Sequence, residues 1–92
     1  MSVDLKPEVI RALDREQRVC VTAIAHLQEK IRPLEEQYGW STDAFLRKFD
    51  AGEIGDAHPF FLWHALAEAL ADWQKTRDSL AELLADAELT GA

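Results

Sequence analysis

The stretch Tyr38–His64, YGWSTDAFLRKFDAGEIGDAHPFFLWH, lies between two long helix-forming segments and decides how they meet. It holds three of the four glycines, one of the three prolines, all four phenylalanines, and Trp40 and Trp63. Turn residues bring two flanks together, and large aromatic side chains give the flanks something to bury, so this segment reads as a packed corner. Gly39 follows Tyr38 as a left-handed helix cap. Ser41 is a suitable N-cap, and Asp43 follows in the first turn beside the positive helix end. Phe45, Leu46 and Phe49 form a short apolar face, which predicts a helix of about ten residues over 42–51. Gly52 and Gly55 close it, with Ile54 between them as a buried plug. Asp56 or His58 then caps a third helix, with Pro59 in its first turn.

Upstream of the corner, residues 1–5 read as a short extended arm, and Pro7 suits the first turn of a helix. Ile10, Leu13, Gln17, Cys20, Ile24, Leu27, Ile31, Leu34 and Tyr38 then recur at alternating spacings of 3 and 4. That is a heptad seam with one polar member, Gln17, and it predicts a helix over 7–38, about 48 Å long at 1.5 Å per residue. Pro33 removes the hydrogen bond to Glu29, so a kink is expected near 33. The seam keeps its phase beyond Pro33, which favours a kink over a reversal. Downstream, Trp63, Leu66, Leu70, Trp73, Arg77, Leu80, Leu84 and Ala87 repeat the same spacing. This segment is rich in alanine and predicts a helix over 59–87.

Ninety-two residues suit a single domain. The expected architecture is all-α: long, short and long helices, with the long pair forming an antiparallel hairpin and the short helix over its closed end. Leu27, Ile31, Trp63, Leu66, Leu70, Trp73 and Arg77 are the expected core or oligomer positions. Both long helices also carry apolar residues beside their seams: Val9, Val19, Val21 and Ala23 on the first, and Leu62, Ala67, Ala69, Ala81 and Leu83 on the third. One hairpin buries too little of this, so the sequence favours a homodimer with a four-helix core, or a heteromer with a basic protein. On that register Arg77 faces Ile24 and needs a carboxylate from elsewhere, such as a partner chain.

Apolar residues make up 48% of the chain, yet no run of 18 is apolar, so no membrane span is expected. The beginning, MSVDLKPEVI, lacks the basic and apolar regions of a secretory signal. Cys20 is the single cysteine, which excludes an internal disulfide. A cytoplasmic protein is the expectation. Net charge is −7, and it is uneven: residues 51–92 carry eight acidic side chains against Lys75 and Arg77. Nucleic-acid binders concentrate cations on one face, so no direct nucleic-acid contact is expected. Asp78, Glu82 and Asp86 form one acidic ridge, with Glu68 and Asp72 upstream. Either this is a solvated face or it binds a basic partner protein.

No residue pattern specifies a reaction, a cofactor or a metal. Cys20 sits on the apolar seam with no adjacent base, and reads as a small hydrophobe. His64 and Glu68 share a helix face, but two residues do not make a metal site. All-helical chorismate mutases have a similar long–short–long layout. They need several inward cations, and Arg77 is the one cation on either seam. The opening SVDLKPEVIRALD has the strand-then-helix order of ribbon–helix–helix repressors, but the helical seam running past Cys20 leaves no place for that fold's early turn.

The central segment resembles a family of small prokaryotic helical proteins often encoded beside toxin genes. The matching residues are Leu34-Glu35-Glu36-Gln37-Tyr38-Gly39, then Phe45 and Phe49, then Gly52-Glu53-Ile54-Gly55-Asp56, then Phe60-Phe61-Leu62-Trp63. The likeness covers about residues 30–70. Leu62 and Ala57-His58-Pro59 stand where that family has acidic residues. The resemblance implies an antitoxin-like role, in which an acidic helix occludes the basic site of a partner toxin, commonly a ribonuclease, with aromatic anchors. The alternative is a homodimeric structural or regulatory adaptor.

Overall fold

Pro7 opens the first helix. The Lys6 carbonyl accepts the first two turn bonds, from the Val9 and Ile10 amides at 3.0 Å each, and proline loses nothing at a position whose N–H has no helical partner. In this computed structural model, which describes residues 4–91 and the side chains of residues 4–87, three helices follow in order: α1 (Pro7–Tyr38), α2 (Thr42–Asp50) and α3 (His58–Gly91). The described residues contain no strand, so the fold is all-α in a long, short, long order. The expected arm over residues 1–5 falls partly outside the described residues. No helix among those described is long and apolar enough to cross a membrane.

Helix α1 continues through Pro33, which is exposed. The missing amide there falls on the solvent side, where water can satisfy the freed carbonyl, and the apolar seam carries on through Leu34 and Tyr38. The helix ends at Gly39, whose φ is 71° and whose amide donates to the Glu35 carbonyl at 2.8 Å. This is the single-bond left-handed cap.

Helix α2 starts at the expected cap, with Ser41 Oγ accepting from the Ala44 amide at 3.1 Å. It ends at Asp50, not Ala51. Ala51 is the C-cap, and the chain turns left-handed at Gly52, with φ 71°. The Glu53 amide reaches back to the Lys48 carbonyl at 3.0 Å, and the Gly52 amide to the Phe49 carbonyl at 3.1 Å. Those two bonds are a Schellman motif, and Arg47 and Lys48 in the last turn complement its negative end. A side chain built on Gly52 meets nothing within 4 Å, so only the backbone conformation resists substitution. We expect Gly52→Ala to cost about 1–2 kcal/mol, read as a lower urea midpoint with unchanged far-UV circular dichroism.

Helix α3 starts at His58, one residue earlier than its expected start. The first turn closes on the Ala57 carbonyl, which accepts from the Phe60 amide at 3.0 Å, so Ala57 takes the position ahead of the helix that Asp56 or His58 was expected to fill. At the other end α3 runs past Ala87 to Gly91, because nothing between them breaks a helix.

Contacts group the chain into two compact units. One comprises Ala25–Ala71; the other comprises Met1–Ile24 with Asp72–Ala92. In the latter, the buried apolar side chains are Cys20 and Ile24 on α1 and Leu84 and Ala87 on α3. Their spacings, i to i+4 and i to i+3, select one face of each helix. Trp73, Arg77 and Leu80 are half-buried on the same seam of α3.

The Ala25–Ala71 unit holds the aromatic corner. Ile31, Phe45, Phe60 and Trp63 are its buried centre, with Leu34, Tyr38, Trp40, Leu46, Phe49, Ile54, Leu66 and Leu70 packed around them. Tyr38 lies against both Phe60 (5.1 Å) and Trp63 (6.0 Å), whereas Ile31, two turns earlier on α1, shares a groove with Leu70, two turns later on α3. Within this unit, therefore, α1 and α3 run antiparallel, and α2 closes the corner. Phe45 and Trp63 are both fully buried and stack at 4.1 Å with planes 1° apart. Ile54 is half-buried and packs on the cluster between Gly52 and Gly55, which explains why the loop carries one aliphatic residue.

Candidate functional site

The corner contains a polar link that periodicity does not reveal. Glu35 Oε2 accepts from both the Thr42 amide (2.9 Å) and the Thr42 hydroxyl (3.0 Å). The Thr42 hydroxyl in turn accepts from Trp63 Nε1 at 3.1 Å. One carboxylate on α1, one hydroxyl on α2 and one indole on α3 thus tie all three helices together in the Ala25–Ala71 unit. Glu35 lies in the last full turn before the Gly39 cap, and Thr42 opens the next helix, so a carboxylate meets the free amides at an N-terminus. The available signal was an acid one turn before a glycine cap, with a capping pair, Ser41-Thr42, just after it. Among the described residues no buried side-chain nitrogen or oxygen lacks a partner. The groove alongside, lined by Gln28, Ile31, Arg32, Glu35, Thr42 and Leu70, is the open edge of this link, with its carboxylate already engaged.

The same unit carries Glu68. Its Oε1 lies 3.1 Å from His64 Nδ1, and His64 stacks on Phe49 at 4.5 Å. The imidazole therefore lies between Phe49 of the corner and Glu68. No group of three or more His, Cys, Asp or Glu among the described residues is arranged to hold a metal ion. Lys48 sits 5.3 Å over the Trp40 ring, which covers the outer edge of the cluster with a cation.

The other unit carries Asp72, Asp78, Glu82 and Asp86. Asp72, Asp78 and Glu82 are exposed and Asp86 is half-buried. The Arg77 guanidinium reaches Asp78 Oδ1 through Nε and Nη2, both at 3.0 Å. The carboxylate that Arg77 was expected to draw from elsewhere is supplied by the next residue of its own helix. Its aliphatic stem lies along the seam while its head reaches the surface. Cys20 is a free, buried cysteine on α1, the position of a small hydrophobe.

Of the expected core residues, Ile31 and Trp63 are buried, and Leu27, Leu66, Leu70, Trp73 and Arg77 are half-buried. Of the residues beside the seams, Ala67 belongs to the core, whereas Val9, Val19, Val21 and Leu62 are exposed, as is Phe61. No known protein family, curated protein or solved structure matches this chain.

Proposed function

We propose that this chain is an acidic helical protein-binding module of antitoxin type. It acts in the cytoplasm of a prokaryotic cell and neutralises a basic partner protein, such as a ribonuclease toxin, by laying a helix over its active surface. The observation that supports this reading is the state of charge on α3 beyond residue 71: Asp72, Asp78 and Glu82 are exposed, and Arg77, one of two cations there, is already bonded to Asp78. A surface of that kind attracts a cationic site and accelerates encounter with it. It does no chemistry of its own; neutralisation comes from occlusion.

Gentle affinity purification from the native host, followed by native mass spectrometry, tests the reading. A stoichiometric basic protein whose ribonuclease activity is silent in the complex is the expected result. A bare homodimer without a partner would overturn it. With the complex in hand, Asp78→Asn combined with Glu82→Gln should slow association about tenfold at low salt and much less at high salt, measured by surface plasmon resonance. An unchanged association rate would remove the acidic ridge from the interface.

The second reading, a homodimeric structural or regulatory adaptor, is favoured by Val9, Val19 and Val21. These apolar side chains of α1 are left exposed, and a second copy would cover them. Sedimentation equilibrium across micromolar concentrations separates the two.

A further inference from the structure

Helix α3 is apolar on two sides over its first turns. Phe60, Trp63 and Ala67 are buried in the corner. Phe61 and Leu62 are instead 51% and 50% exposed, and Ala65 and Ala69 follow them. Positions i, i+1, i+4 and i+8 make one continuous helix face. Phe61 meets Phe49 edge-on at 5.9 Å, which covers one flank of its ring and leaves the rest in water. Two large apolar side chains half in solvent, side by side on a helix, are a surface awaiting a cover.

The charge around this face says what that cover is. Residues 51–71 carry Glu53, Asp56 and Glu68 and neither lysine nor arginine; Glu53 lines one surface depression with Arg47 and Lys48 of α2, and Glu68 is the acid set on α3 itself. The side chain of Glu68 is 68% exposed, one turn beyond Ala65. A second copy seated here by two-fold symmetry would bring the same acids against themselves. A helix with an apolar stripe flanked by lysine or arginine would bury Phe61 and Leu62 and pair with those acids.

We propose that the Phe61–Leu62–Ala65–Ala69 face of α3 is the docking site for a cationic amphipathic helix of a partner protein. This rests on the reading of the chain as a partner-binding module, and it makes the apolar face the anchor, while the acids steer the partner in.

The test uses the full chain and two fluorescein-labelled synthetic helical peptides of equal length and equal leucine stripe, one flanked by lysine and the other by glutamate. Anisotropy titrations should show the lysine-flanked peptide binding and the glutamate-flanked one at least about tenfold weaker. Phe61→Ser with Leu62→Ser should weaken the lysine-flanked peptide by about tenfold or more, with the urea midpoint little changed; Leu62→Ser alone should weaken it to a lesser degree. Equal binding of the two peptides, or full binding by the double variant, would overturn the proposal. So would a dimer of the parent chain that the double variant abolishes, since that assigns the face to a second copy. A basic native partner retained by the double variant sinks this inference and leaves the proposed function standing. The absence of any such partner sinks the proposed function, while the peptide titration still decides the face.

Discussion

Trp63→Ala is expected to destabilise the protein by about 3–5 kcal/mol, the largest effect of any single truncation in the chain. Trp63 is fully buried, lies flat on Phe45 at 4.1 Å, and contacts Tyr38 and Trp40 with ring centroids 6.0 and 6.4 Å away. Alanine there removes the whole ring and leaves a cavity whose walls are other rings, which cannot collapse far without losing their own stacking. It also strands the Thr42 hydroxyl as an acceptor without its indole donor. Domains of this size typically hold roughly 5–14 kcal/mol in total, so the loss is a large fraction of it. With a urea slope of about 1.5 kcal/mol/M, the midpoint should fall by roughly 2–3 M. Far-UV circular dichroism is the appropriate probe, because the substitution removes a fluorophore. A midpoint within a few tenths of the parent's would mean that the corner is not the centre of this unit. Trp63→Phe is the informative companion: it keeps a ring on Phe45 and loses the indole hydrogen bond, and should retain more than half of the stability that Trp63→Ala removes.

What could be read from the chain, and what could not, divides along the same lines as the interactions. Helix position follows from local rules. Pro7, Gly39, Ser41 and Gly52 each have a backbone reason to stand where they do, and those reasons act within one turn. The aromatic corner was legible because apolar periodicity and turn residues coincide in one segment. The Glu35–Thr42–Trp63 link was not, because it depends on distances between side chains 7 and 21 residues apart, which no periodicity encodes. The partner of Arg77 was missed for a related reason. Seam position gives the direction of a Cα–Cβ bond, whereas a long side chain can turn along the helix to the neighbouring Asp78. Phe61 and Leu62 show a further limit. An FFLW run reads as uniformly apolar, and only the packing of α1 and α2 against one side of α3 separates the buried Phe60 and Trp63 from the exposed pair between them.

The polar link supports the second large prediction. Thr42→Val, nearly isosteric, should cost about 2–3 kcal/mol. Valine keeps the volume and the amide that donates to Glu35, so the loss is electrostatic and not one of packing. Two bonds go: the hydroxyl no longer donates to Glu35 Oε2, and Trp63 Nε1 is left against a methyl group in a site that water cannot easily reach. Thr42→Ser, which keeps the hydroxyl and removes one methyl, should cost about 1 kcal/mol or less. Glu35→Ala should also cost about 2–3 kcal/mol, since a charged acceptor serving two donors is worth more than a neutral one, and Glu35→Gln should recover about half of that. The strongest discriminator is non-additivity. Once Trp63 is phenylalanine there is no indole N–H to strand, so Thr42→Val should cost about 1 kcal/mol less in the Trp63→Phe background than in the parent. If the two substitutions add within error, Thr42 and Trp63 do not share a bond, and α3 is held to the rest of this unit by apolar packing alone.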